Sequence, residues 1–518
     1  VKKLEEELKK VRHKLFSVKT PSIKRELRIK DKELREQMSE ALAEQFGNET
    51  AQLLSKWDPY DQNTSSPFFD KEWMFDIRNG FDVVIGNPPY VLLQERIKNE
   101  VDLSWIKNAF RVASYKVDLY HLFFEKGIEL LSTQGTLTYI TPTNFLLNNY
   151  TSELRKIILE ANLNSVLLLK NSVFEASVDT SVFSLNKGGK AVSQYVSFSE
   201  GLIDLNNLTI NPKSKIKRNV FLNNDYAINP EFDNVTLELL TIIEKGGKIG
   251  NVASVNFGMQ LRNRSHFPDD VIQTSDTSIL SKFHKECYTG RDIKEFQVNF
   301  ENRYCYFNRE AQSGGCWDEK VQFAKNKLLI PQVGKFPIAG IDLKGFPVLN
   351  TAFMIVPKEK NLSYSLQAVI NSSITRFYWL KKFYDQRQTF PKIKGTYLKE
   401  IPIPHDISNF ALSFVSQILS YKPELKNSIL REVLDGIVFE LFAASHMANR
   451  GIDILKFVEQ DINEVMQGTE FEYASDKEKE MIIEELYAKW SDTSNEVRNR
   501  IKLFAVRSPE ILKPILES

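Results

Sequence analysis

The chain has 518 residues, enough for several domains. Its 42% apolar and 26% charged content is that of an ordinary folded protein, and no apolar run approaches the ~20 residues that span a bilayer, which argues against a membrane protein. The net charge of +1 is unevenly spread: −1 over residues 1–245, +9 over residues 246–404 and −7 over residues 405–518, so a polyanion-binding surface is expected in the middle segment.

The start, Val1-Lys2-Lys3-Leu4-Glu5, has no signal-peptide apolar core. Residues 2–15 and 22–46 are rich in Lys, Glu, Arg, Leu and Ala, with Pro21 as a break. Leu4, Leu8, Val11 and Leu15 follow helical spacing, so two charged helices are expected. Phe81-Asp82-Val83-Val84-Ile85 reads as a buried strand of a parallel sheet, ending in Gly86-Asn87-Pro88-Pro89-Tyr90. Gly86 permits a sharp turn, and the two prolines fix φ and remove N–H donors. The Pro88 carbonyl, the Asn87 amide and the Tyr90 ring together suit a planar heterocycle that bears an amino group.

Next come a helical pattern over 118–131, with Asp118 as its N-cap or as a marker of the domain, and a strand over 136–140 entered through Gln134-Gly135. A helix near 151–161 and a strand over 165–169 follow. This alternation indicates a doubly wound α/β domain. Residues 201–245 read as a connector with a helix over 235–244. Residues 246–404 alternate short β-like runs with turn residues, and 405–518 carry amphipathic helices near 408–421, 428–445, 453–465 and 476–490. Cys287, Cys305 and Cys316 lack a paired ligand spacing and read as reduced thiols of a cytoplasmic protein, and the six histidines form no zinc motif, so no metal site is expected.

Asn87-Pro88-Pro89-Tyr90 after an apolar strand resembles motif IV of the amino-methylating DNA methyltransferases, in the form typical of adenine-N6 enzymes. Trp57-Asp58-Pro59-Tyr60-Asp61-Gln62-Asn63 and Phe68-Phe69-Asp70-Lys71-Glu72-Trp73-Met74-Phe75 resemble the fused type IIG restriction–modification methylases. Asp118-Leu119-Tyr120, Tyr139-Ile140-Thr141-Pro142-Thr143-Asn144-Phe145-Leu146 and Asn171-Ser172-Val173-Phe174-Glu175-Ala176 followed by Thr180-Ser181-Val182-Phe183 are similar to motifs V, VI and VIII of that class. Gly258-Met259-Gln260, Tyr288-Thr289-Gly290-Arg291-Asp292-Ile293, Pro331-Gln332-Val333-Gly334-Lys335, Asn371-Ser372-Ser373-Ile374-Thr375-Arg376-Phe377-Tyr378-Trp379 and Phe390-Pro391-Lys392-Ile393-Lys394 resemble, in order, the TaqI-like C-terminal specificity domain.

The resemblance implies a charged helical insertion at 1–56, the rear half of a Rossmann-like methyltransferase domain at 57–200, the connector at 201–245, a mixed α+β target-recognition domain at 246–404 and a helical tail at 405–518. It implies site-specific adenine-N6 methylation of double-stranded DNA, with S-adenosylmethionine as donor, in a restriction–modification or phage-defence system. Asn87 and Pro88 would accept the amino hydrogens, Pro89 would hold the turn, and Tyr90 and Phe174 would pack on an extruded base. Gln260, Arg262, Arg264, Lys381, Lys382, Arg387, Lys392 and Lys394 would meet DNA, whereas Arg291 would make an internal ion pair. Before Gly86 the only glycines are Gly47 and Gly80. The main cofactor motif is therefore expected upstream of Val1, in a longer chain or a second subunit. The competing expectation is a truncated or split specificity protein that binds DNA without activity of its own.

Overall fold

The computed structural model describes all residues except 47, 62, 64, 65, 67, 94–99, 114–115, 172–178, 189–193, 205–206, 223–225, 384–390 and 469, together with the side chains of 44–46, 48–50, 54, 100–103, 149 and 234. The chain forms two compact units. One comprises Val1–Pro142, Lys156–Leu169 and Thr180–Ile210, and the other Thr143–Arg155, Lys170–Asp179 and Asn211–Ser518.

The first unit opens with helices α1 (Lys2–Ser17) and α2 (Pro21–Phe46), as their spacing requires. Leu8, Val11 and Leu34 bury one stripe of this hairpin, with Trp73 packed against it. A buried charge cluster joins the hairpin to the segment around Trp57 and Trp73. Asp31 accepts from Arg12 Nε and Arg35 Nε, both at 2.8 Å. Arg12 lies over the rings of both Trp57 and Trp73, 5.0 Å from each centroid, the two rings being tilted against each other at 5.3 Å, and Arg35 Nη1 donates to the carbonyls of Ser55 and Trp57. The tryptophans of the two resembling phrases are thereby stacked on one guanidinium.

The sheet of this unit has six strands: β1 (Phe81–Gly86), β2 (Leu131–Pro142), β3 (Leu163–Leu169), β4 (Thr180–Asn186), β5 (Tyr195–Asp204) and β6 (Asn207–Lys217). Their order is β1-β2-β4-β3-β5-β6. β1 runs parallel to β2 and β3 parallel to β5, while β4 is antiparallel to both β2 and β3. Helices α3 (Leu119–Leu130) and α4 (Ser152–Glu160) alternate with the strands, giving the expected α/β character. One expectation fails. Among the described residues β1 is not an interior strand but an edge, paired on one side only, and Val83 and Ile85 are 64% and 78% exposed. A β-branched run marks strand propensity, not the strand's position in the sheet.

The second unit contains helix α5 (Asn234–Ile243) and an antiparallel sheet of β7 (Ala253–Phe257), β10 (Lys327–Pro331), β11 (Gly340–Asp342) and β12 (Ala352–Pro357), in the order β11-β10-β12-β7. A small sheet pairs β8 (His284–Glu286) with β9 (Arg303–Tyr306). Met259, Leu261, Cys287, Cys305, Ala311 and Leu349 form one core cluster. The wholly buried Lys327 ammonium donates to Asp342 Oδ2 at 2.6 Å and to the carbonyls of Gln322, Ala324 and Phe346. Helices α6 (Ser363–Asn371) and α7 (Ser373–Lys382) follow the sheet. The tail forms α8 (Phe410–Tyr421), α9 (Ile429–Asn449), α10 (Leu455–Met466) and α11 (Asp476–Ser491), close to the expected bounds. No helix among the described residues is long and apolar enough to cross a membrane.

Candidate active site and nucleic-acid interface

Asn87-Pro88-Pro89-Tyr90 leaves β1 beside β2, where Gly86 is registered with Tyr139. A Cβ on Gly86 would lie 3.2 Å from the Tyr139 ring, so the smallest residue is the one that fits without a shift. Pro88 is buried, Tyr90 is half-buried, and Asn87 and Pro89 are exposed. The Asn87 amide makes no hydrogen bond among the described residues.

The loop is held at its far end. Tyr90 Oη donates to the Ile140 carbonyl at 3.0 Å, and its ring meets Tyr120 edge-on at 6.1 Å. Burial raises the Tyr90 pKa, so the phenol keeps the proton that it donates. Asp118 is the N-cap of α3, and its carboxylate accepts the Val91 N–H at 2.8 Å. Leu119 N–H donates to the Val91 carbonyl and Leu93 N–H to that of Val117, each at 2.9 Å. Asp118 thus combines its capping role with a clamp on the residue that follows Tyr90. Burial raises its pKa against hydrogen bonds from Val91, Tyr120 and Leu119 that lower it. His121, in the first turn of α3, accepts the Asp118 N–H at Nδ1 (3.4 Å), and burial lowers its pKa to about 4. Among the described residues its Nε2 is buried without a partner, as are Thr141 Oγ1 and Ser181 Oγ, which face each other in register across β2 and β4. No spacing in the sequence singles out these hydroxyls. Thr141 falls within the phrase similar to motif VI and Ser181 within that similar to motif VIII, but nothing in the sequence brings their hydroxyls together.

The specificity phrases, far apart in sequence, meet in the second unit. Val333 bridges Lys392, Gly334 N–H donates to the Pro391 carbonyl at 3.0 Å, and Ile393 N–H donates to that of Gln332 at 2.7 Å. A Cβ on Gly258 would lie 2.1 Å from the Leu349 oxygen, and one on Gly290 2.5 Å from the Thr351 oxygen, so both glycines mark close backbone approaches. Asn371 both accepts from and donates to the Ala339 backbone.

The candidate DNA contacts divide by how free they are. Arg264, Lys392 and Lys394 are exposed, Lys394 being 3.3 Å from the Tyr397 hydroxyl, and Gln260 is exposed on a short strand paired with Gln312–Gly314. Arg262 is committed: its fork binds Asp270 at 3.1 and 2.7 Å, and its guanidinium lies 3.9 Å over Phe267. Lys381 pairs with Glu231 at 3.4 Å, and Lys382 pairs with Glu244. Phe174 and Arg387 lie outside the described residues. The ion pair expected for Arg291 is made by another residue. Asp292 binds the buried Arg303 at 2.6 Å, and Arg291 is exposed. Arg303 wins because β9 brings it through the core to Asp292, whereas an adjacent side chain in the tight Gly290–Asp292 turn points away.

Residues 7–174 match the family described as Eco57I restriction-modification methylase, and residues 285–403 match the TaqI-like C-terminal specificity domain. The chain joins an Eco57I-type methylase region to a TaqI-like specificity domain. Among curated relatives, the type II restriction enzyme and methyltransferase RM.Eco57I of Escherichia coli is 35% identical over 98 residues, 18% of this chain and 10% of its own length. The type II methyltransferase M.BstVI of Geobacillus stearothermophilus is 44% identical over 78 residues, 15% of this chain and 14% of its own length. The matches thus span well under two thirds of these relatives. The type IIL restriction-modification enzyme MmeI, solved in complex with DNA, is 13% identical with a TM-score of 0.48 over 92% of this chain and 63% of that chain.

The methylase match corrects the cofactor expectation. The S-adenosylmethionine-dependent methylase region lies within this chain, at residues 7–174, and not upstream of Val1. The expectation rested on a missing glycine-rich loop. Such a loop is one way to bring backbone close to a ligand, and a short glycine count does not relocate the domain.

Proposed function

We propose that this chain serves site-specific adenine-N6 methylation of double-stranded DNA, in the cytoplasm, as part of a restriction–modification or defence system. The observation that carries this reading is the Asn87–Tyr90 loop. It lies inside the methylase region, anchored by Asp118 and Tyr90 at its far end, with the Asn87 amide unpartnered among the described residues.

Adenine N6 is a poor nucleophile because its lone pair is delocalised into the ring. The Asn87 side-chain oxygen and the Pro88 carbonyl accept the two amino hydrogens and stabilise the positive charge that develops on nitrogen. No general base is needed in the loop. The base leaves the duplex stack at a cost of a few kcal/mol, and packing on the Tyr90 ring offsets part of it. S-adenosylmethionine, when bound, supplies the methyl group. The residues present fit such a ligand. Asn87 and Thr141 lie at the carboxyl ends of the parallel strands β1 and β2, the end at which open α/β sheets bind ligands. The buried Thr141 Oγ1 lacks, among the described residues, a partner that a polar cofactor would provide. In the specificity domain, the exposure of Arg264, Lys392 and Lys394 supports a role on phosphates, and that of Gln260 a role at a base edge.

The test is transfer of labelled methyl groups from S-adenosylmethionine to duplex DNA by the chain, with duplex binding measured alongside. Asn87→Ala should lower turnover by roughly 10²-fold or more, with DNA affinity little changed. Transfer that survives Asn87→Ala would sink the reading. Intact DNA binding with no transfer by the unaltered chain would favour a specificity protein.

A further inference from the structure

The second unit contains a cavity of about 260 Å³ where the specificity domain meets the helical tail. It uses none of the loop or DNA-contact residues named above. Its walls include Glu295, Phe336, Arg376, Lys426, Arg431 and Asp435. The charges on them are unequally satisfied. Arg431 donates to Glu295, to the Asn371 carbonyl and, at 3.2 Å, to Asp435. Asp435 also accepts the Ser373 N–H and hydroxyl, each at 2.7 Å. Both carboxylates are therefore engaged, and so is Arg431.

Arg376 and Lys426 are left over. Arg376 Nε is buried with no hydrogen-bond partner among the described residues, and its guanidinium lies 5.9 Å from the Phe336 ring centroid. Lys426 has no carboxylate partner among the described residues. The wall thus carries three cations and two carboxylates, a net charge of +1, with the two unpaired cations coming from different elements. A guanidinium fork and an ammonium on one concavity suit a tetrahedral oxyanion, which offers acceptors in several directions. The two fixed carboxylates disfavour a dianion, whereas a phosphodiester carries a single charge.

We propose that this cavity binds the oxyanion of a phosphate ester through Arg376 and Lys426. The source favoured by charge is the DNA backbone, in which case the site rests on the DNA-binding reading above. A free small phosphate is the other source. On the first, the cavity is an anchoring contact that fixes how DNA lies on the specificity domain without reading sequence.

The experiment measures binding of the full chain to a fluorescent duplex across a salt series. Arg376→Gln, Lys426→Gln, Arg376→Lys and, as a control for generic charge loss, Lys477→Gln on the exposed face of α11 are compared, with melting curves for each. Arg376→Gln and Lys426→Gln should each weaken binding by about 5- to 20-fold at fixed salt, equally for all sequences, and lower the log–log salt slope by about one. Arg376→Lys should retain most of the affinity, which also covers the case of a glutamine variant that fails to fold. Duplex binding by the unaltered chain with both glutamine variants matching Lys477→Gln excludes the DNA backbone as the occupant and leaves the DNA-binding reading standing. Calorimetry with inorganic phosphate then decides on the free source. Heat that disappears in Arg376→Gln supports it, and no heat, or equal heat from acetate, overturns the site. No duplex binding by the unaltered chain would instead sink the DNA-binding reading, and the same calorimetry would judge the cavity alone.

Discussion

Asp118 is the residue at which a helix cap and the tether of the candidate loop coincide. It caps α3 and holds Val91, the neighbour of Tyr90, by one 2.8 Å hydrogen bond. Asp118→Ala should cost about 1 kcal/mol as a lost cap and should also lower methyl transfer, because the loop loses its tether. Asp118→Asn keeps an acceptor oxygen and should recover much of both, as denaturation and transfer assays would read. His121 gives a pH prediction. Its folded pKa of about 4 lies below the usual His value of 6.5, so the folded state prefers the neutral ring. The stability it contributes is complete above about pH 6.5 and is lost as pH falls towards 4, by up to roughly 3 kcal/mol. In His121→Phe that part of the pH dependence should vanish from denaturant midpoints. Lys327 tests the buried pair with Asp342. Lys327→Met removes the cation from the buried Asp342 carboxylate, leaving it the backbone N–H groups of Lys344, Gly345 and Phe346, and should destabilise by about 3–5 kcal/mol.

At the scale of elements, the helices were legible because their apolar residues recur at helical spacing. Leu4, Leu8 and Val11 place α1 and its buried stripe, and the tail helices end within a few residues of the bounds their patterns suggest. The strand of β1 was legible too, but its place at the sheet edge was not, because position in a sheet is set by partners remote in sequence. The same remoteness hid the Arg303–Asp292 pair and the stacking of Trp57 and Trp73 on Arg12. At the candidate loop, Asn87-Pro88-Pro89-Tyr90 could be read from four adjacent residues, whereas the tether to Ile140 needed the fold. Close backbone approaches are an element-scale property with a direct test. Gly258→Ala and Gly290→Ala would drive a methyl group into carbonyl oxygens at 2.1 and 2.5 Å. Both should lower the melting temperature of the chain, and Gly201→Ala, whose Cβ meets only flexible leucine side chains, should lower it less.

At the scale of the whole molecule, charge is divided by segment. The +9 of residues 246–404 against the −7 of residues 405–518 leads to the expectation that duplex binding falls steeply with salt. The cavity joining these segments shows why net charge alone is a poor guide. Lys426 and Arg431, both from the acidic tail, line it beside Arg376 of the basic segment.

The three cysteines make the chain its own reporter. Cys287 and Cys305 are wholly enclosed in the core of the specificity domain, and burial holds the Cys305 thiol well above its ordinary pKa. Cys316 alone keeps partial access. A thiol-reactive dye added to the native protein should therefore attach once per chain, rising to three on unfolding. That stoichiometry makes a mass spectrum of the labelled protein a direct assay of whether the specificity domain is intact, applicable to every variant proposed above without engineering a tag.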